Sequence, residues 1–143
     1  MKKKAVLLSL NSQWVRPIFW TCEKIFEVRK RVPLLEPPYD VYVYVTKKDP
    51  QIYYESILYK GNLNGLIVGK FTCAHNWERN GPWTGQSEGT CLTDRQLAEY
   101  ANGEKVVFME ISNPVRFELP IGIGCFGVER APQNFQYIEV EDE

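Results

Sequence analysis

The clearest alternation along the chain falls at residues 40–46, DVYVYVT, where Val41, Val43 and Val45 take every second position. Successive side chains of a strand point to opposite faces, so this period predicts a strand with the valines toward the core. Tyr42, Tyr44 and Thr46 then lie on the other face. Residues 4–10 are almost continuously apolar after Lys4 and predict a strand buried on both sides. Residues 66–72, LIVGKFT, predict another, with Gly69 at the place of a bulge. Residues 104–111, 115–119 and 135–140 complete the regular strand set.

Two short stretches carry helical spacing. Trp14, Val15, Ile18 and Phe19 share a helical face, Asn11 or Ser12 supplies the cap, and Pro17 bends or interrupts the segment. Thr93 and Gln96 have the spacing of a capping box for a helix through Ala101, closed by Asn102 and Gly103. Residues 51–60 fit a helix or a lengthened strand edge equally well. Residues 73–92 hold three glycines, Pro82, Trp77 and Trp83 and predict an irregular loop of the length that usually serves function. Short strands with two small helices predict a compact α+β barrel, and periodicity leaves the strand order open.

Residues 23–31, EKIFEVRKR, differ from the other strands. Phe26 and Val28 fall on one face, while Glu27, Arg29 and Arg31 crowd the other. A carboxylate flanked by Lys24 and Arg29 can accept the amide or amine edge of a ligand, and the Arg29 fork suits a phosphate or a base carbonyl. The same three residues suit an internal salt bridge that closes one end of the barrel, and both readings stand at this stage. Trp14, Tyr44, Trp77, Trp83 and Tyr137 are candidate stacking platforms for a base, with Trp77 and Trp83 favoured by their place in the loop.

Composition narrows the classes. A length of 143 residues fits one domain over 1–143, and eight Tyr, seven Phe and four Trp supply a dense core. Seventeen basic against eighteen acidic residues give a net charge of −1, which argues against a non-specific grip on duplex nucleic acid. The local runs Lys2–Lys3–Lys4 and Arg29–Lys30–Arg31 still allow a small anionic ligand or a short single strand. The apolar run at 5–10 is too short for a signal peptide, and nothing later spans a bilayer, so a cytoplasmic protein with reduced thiols is expected. Cys73, His75, Cys91 and Cys125 match no zinc-knuckle spacing, so neither metal nor cofactor is expected.

At the level of motifs, residues 5–31 resemble the opening of the ASCH domain, a branch of the PUA-like superfamily of small β-barrels. That family runs strand, helix, then a Lys-x-x-Glu-x-Arg strand, matched here by Lys24, Glu27 and Arg29. DVYVYVT and GLIVGKFTC are similar to its next two strands. LTDRQLAEYANGEKVVFMEI and APQNFQYI are similar to its later helix and strand and to the ending of many bacterial and phage members. Residues 47–64 and 76–90 fall outside the resemblance and read as variable insertions.

The resemblance implies a PUA-like barrel of about five to six mostly antiparallel strands with two or three short helices. It also implies a cleft beside the helix and the Lys-x-x-Glu-x-Arg strand, where relatives are proposed to bind RNA or modified bases. The expected ligand set is Ser9, Lys24, Glu27, Arg29, Tyr44, Trp77 and Trp83. One branch hydrolyses acetylcytidine with a Lys, a Thr three residues later and a distant Glu. Here Glu27 stands at the Thr position, which shifts the expectation from catalyst to binder. An amidohydrolase with Lys24 as base and Ser9 or Thr21 as nucleophile is the alternative. A protein-interaction domain of phage or prophage origin is the third reading.

Overall fold

Every residue from Ala5 to Leu10 is buried, so the first strand must be covered on both faces. The computed structural model describes residues 1–142 and shows how. Strand β1 (Lys2–Leu10) lies inside a six-stranded sheet with β2 (Phe26–Arg29), β3 (Tyr39–Val45), β6 (Ile67–Arg79), β7 (Val106–Ile121) and β8 (Phe135–Glu141). The spatial order is β2-β7-β6-β3-β1-β8. β1 and β3 run parallel, joined by a crossover that contains β2, and the other neighbours are antiparallel. A separate hairpin, β4 (Tyr53–Glu55) and β5 (Lys60–Asn62), fills the segment that fitted helix or strand.

The expected closed barrel is not formed. β2 and β8 end the sheet on opposite sides and are not hydrogen-bonded to each other, so the architecture is an open mixed sheet with two short helices. Side chains bridge the gap instead. Arg29 on β2 reaches the Ser9 carbonyl of β1 at 2.9 Å and Asn134 Oδ1, next to β8, at 2.6 Å.

Three apolar clusters hold the layers. Val6, Leu8, Leu10, Val41, Val43 and Val45 face one way, against Val15, Ile18 and Phe19 of helix α1 (Val15–Phe19). Ala5, Leu7, Ile67, Ile138 and Val140 face the other way together with Tyr44. Val28, Leu97, Ala101, Val106 and Phe108 form a smaller cluster under helix α2 (Asp94–Ala101). The three valines thus point inward as their spacing predicts. Tyr44 does not face solvent or ligand, because the sheet is covered on both sides.

Local signals are borne out at the helices. Thr93 and Gln96 form a reciprocal capping box, and Asn102 ends α2 in a left-handed conformation. A 3-10 turn at Ser12–Trp14 leads into α1, with the Asn11 side chain accepting from the Gln13 N–H. Pro17 is tolerated as the third residue of α1, where its missing N–H would have had no helical partner. Gly69 marks the expected bulge. A Cβ there would sit 2.5 Å from the Val115 carbonyl oxygen of β7.

Candidate functional site

Four segments of the chain meet at one cleft. Along β2, Glu27 and Arg29 alternate with the partly buried Phe26 and the buried Val28, as period two requires. Lys24, just before β2, is tied to α1 by its backbone N–H, which donates to the Pro17 carbonyl at 3.0 Å. The 3-10 turn supplies Gln13 and Trp14, and α2 closes the far side with Gln96 and Tyr100. Together with Asn11, Val28 and Leu92, these residues line a cleft of about 340 Å³.

The floor is an unbroken cation–carboxylate–cation chain. The Lys24 ammonium lies 3.4 Å from Glu27 Oε1, and Arg29 Nε donates to Glu27 Oε2 at 2.6 Å. Lys24 is 2% exposed and Glu27 4%, so both charges are largely out of water. Such burial is costly unless each charge is paired and hydrogen-bonded. Lys24 meets that condition by also donating to the Thr90 carbonyl at 2.6 Å and lying 4.7 Å above the Trp14 ring. Burial pushes the Lys24 ammonium below its ordinary pKa, and the Glu27 charge offsets part of that effect. Arg29 spends its remaining bonds on Ser9 and Asn134, as described for the sheet gap.

The Thr90 carbonyl is the partner that no side-chain pattern in the sequence could announce. It is presented by a loop built for close approach. Gly89 has φ +79°, and its carbonyl accepts from both the Ile25 and Phe26 N–H groups. Thr90 is fully buried, and its hydroxyl donates to the Ser87 carbonyl and accepts from the Leu92 N–H. A Cβ on residue 89 would lie 2.4 Å from Ile25 Cγ1. Gly89→Ala is therefore expected to destabilise the protein by about 3 kcal/mol, from left-handed strain plus overpacking. Urea unfolding of the variant measures that loss.

Other expected site residues sit elsewhere. The Ser9 hydroxyl donates to the Pro132 carbonyl at 2.6 Å, and Ser9 is a strut between β1 and the segment before β8, not a cleft wall. Thr21 is exposed outside the cleft, so neither hydroxyl is placed as a nucleophile beside Lys24. Tyr44 is 5% exposed in the cluster on the opposite face of the sheet. Trp77 does not belong to a loop, because β6 continues to Arg79. It is 43% exposed, with its indole N–H donating to Glu110 Oε1 at 3.2 Å. Trp83 packs beside α2 against the Phe108 cluster. Trp14 is the aromatic residue that does line the cleft, and Tyr100 joins it from α2. Sequence spacing marks Gln96 only as a helix-capping residue and offers no signal for Tyr100; both reach the cleft through the packing of α2.

Among the described residues no group of three or more His, Cys, Asp or Glu side chains is placed to hold a metal ion. No helix among the described residues is long and apolar enough to cross a membrane.

No protein-family model and no curated protein matches the sequence. Solved structures do match. ASCH from Zymomonas mobilis superposes with a TM-score of 0.70 over 93% of this chain and 86% of that one, at 16% identity. Two mutants of the same protein give 0.71 and 0.70, with 94% and 93% of this chain covered at the same identity. At that identity the likeness is one of architecture. The chain shares the α+β fold of those ASCH structures.

Proposed function

We propose that the protein is an ASCH-type binding module whose cleft holds one unpaired nucleobase, presented by a nucleotide or by a short stretch of RNA. The observation that carries this reading is the buried Lys24–Glu27–Arg29 chain lying open to a cleft beside the Trp14 ring. A volume of about 340 Å³ suits a small ligand and excludes a duplex.

The chemistry matches a base edge. Glu27 Oε2 accepts one protein bond, Oε1 is ion-paired with Lys24, and both retain lone-pair capacity for a ligand N–H. The Lys24 ammonium has a third N–H for a ring carbonyl, and Trp14 offers apolar surface at the cleft wall. The near-neutral charge of the whole chain agrees with recognition of a single nucleotide better than with a phosphate tract.

Lys24, with its lowered pKa, also has one property of a general base. Ser9 and Thr21, the expected nucleophiles, both lie outside the cleft, which favours binding over hydrolysis. Calorimetric titration with the four ribonucleoside monophosphates and N4-acetylcytidine tests it. Saturable heat with at least one of them is expected, about tenfold weaker binding in Trp14→Leu, and no acetate release. Absence of heat with every one of them would reject the proposal, and acetate release that disappears in Lys24→Met would replace it with the hydrolase reading.

A further inference from the structure

A second groove lies beyond α1 and is lined by side chains that stack and carry charge. Arg16 and Trp20 come from α1 and its end, Tyr53 and Tyr54 from β4, and Arg116 and Glu118 from β7, around a volume of about 420 Å³. The Arg116 guanidinium lies 4.8 Å above the Trp20 ring and 5.6 Å above Tyr54, and Arg16 lies 5.5 Å above Trp20. Trp20 and Tyr54 meet edge to face at 5.4 Å. A guanidinium laid flat on a ring keeps its N–H edge available for an oxyanion. Among the described residues neither arginine enters an ion pair. Tyr53, 54% exposed, adds an open aromatic face.

The groove and the cleft flank the same stretch of chain. Gln13, Arg16 and Trp20 are spaced i, i+3, i+7, so they share one face of the 3-10 turn and helix. Gln13 lines the cleft, whereas Arg16 and Trp20 line the groove. That face covers roughly 10 Å of helix axis, a reach that a short single strand spans.

We propose that this groove takes the nucleotide flanking the one held in the cleft, with its base on the exposed Tyr53 ring and its phosphate on Arg16 and Arg116. The inference rests on the nucleobase reading of the cleft and makes the ligand a single RNA strand instead of a free nucleotide. Glu118 on the rim, and Glu55 paired with Lys60 at 3.8 Å, keep the groove from being strongly cationic. One stacked base with one phosphate fits that balance, and a longer phosphate tract does not.

The test is fluorescence anisotropy with fluorescein-labelled homopentanucleotides of uridine, cytidine and adenosine, competed by the matching mononucleotides. The best pentanucleotide is expected to bind about tenfold tighter than its mononucleotide. Tyr53→Ala and Arg16→Gln are expected to remove most of that gain while leaving mononucleotide affinity unchanged. Arg16→Gln should also lower the salt dependence by about one phosphate contact. Mononucleotide binding with no gain for any pentanucleotide, or a gain that survives both variants, overturns the groove alone. A protein that binds no mononucleotide overturns the cleft reading, and this inference with it.

Discussion

Glu27→Gln is expected to lower stability by about 3 kcal/mol at pH 7 and to abolish ligand binding. The side chain keeps its shape, so the loss reports charge and not packing. Lys24 would remain buried with the Thr90 carbonyl as its main partner, and Arg29 would lose its shortest charged contact. Removing one member of a buried pair leaves the other charge uncompensated, which outweighs the desolvation relieved at the glutamate.

The loss carries a pH signature. Burial already lowers the Lys24 pKa, and Glu27 is the chief influence opposing that shift. Without Glu27, Lys24 gives up its proton at lower pH in the folded protein, while the unfolded chain keeps the ordinary value of 10.5. Between those two values the unfolded state binds more protons, so folding stability rises with pH there. The deficit of Glu27→Gln relative to wild type should shrink between pH 7 and pH 10 in urea unfolding. A deficit that stays constant over that range would mean that Lys24 is not the stranded charge.

Arg29→Lys is expected to be nearly as severe, at about 3 kcal/mol, although the charge is conserved. Arg29 makes three directed bonds, to Glu27, Asn134 and the Ser9 carbonyl, and a lysine ammonium cannot reproduce the fork. Those bonds join the β2 end of the open sheet to β1 and, with the Asn134 Nδ2 donation to the Arg31 carbonyl, to the segment before β8. Hydrogen exchange should therefore accelerate in β2 and around Asn134 while β3 and β6 stay protected. Uniform acceleration across the sheet would show that Arg29 does not act as a local tie.

Much of this arrangement is legible in the sequence, for reasons that differ by element. The alternating valines of β3 and the Thr93–Gln96 box of α2 are local signals, set by period two and by a three-residue hydrogen-bond reach. Glu27 and Arg29 are legible as part of a charged strand face with Lys24 flanking it. The structure brings these three to one cleft, while Arg31 is not among its lining residues. What lies beyond the sequence depends on partners far along the chain. Tyr44 alternates like an outward residue, but Leu7, Ile138 and Val140 cover that face. Trp77 resembles a loop residue because loop-forming glycines follow soon after, yet pairing with β7 carries β6 to Arg79 through its bulges. The closed barrel fails for a related reason. Period two fixes which way side chains point and says nothing about whether the two sheet ends pair in backbone or, as with Arg29 and Asn134, through side chains.

The direct test of the central claim is a nitrogen–proton NMR titration that follows the Trp14 indole N–H and the Arg29 Nε–H during addition of ribonucleoside monophosphates. Both signals line or border the cleft, and each sits in a different element. The account predicts that both shift together along one saturation curve, and that neither shifts in Glu27→Gln. Signals that stay fixed at saturating nucleotide, or shifts confined to residues away from Trp14, Lys24 and Arg29, would contradict it.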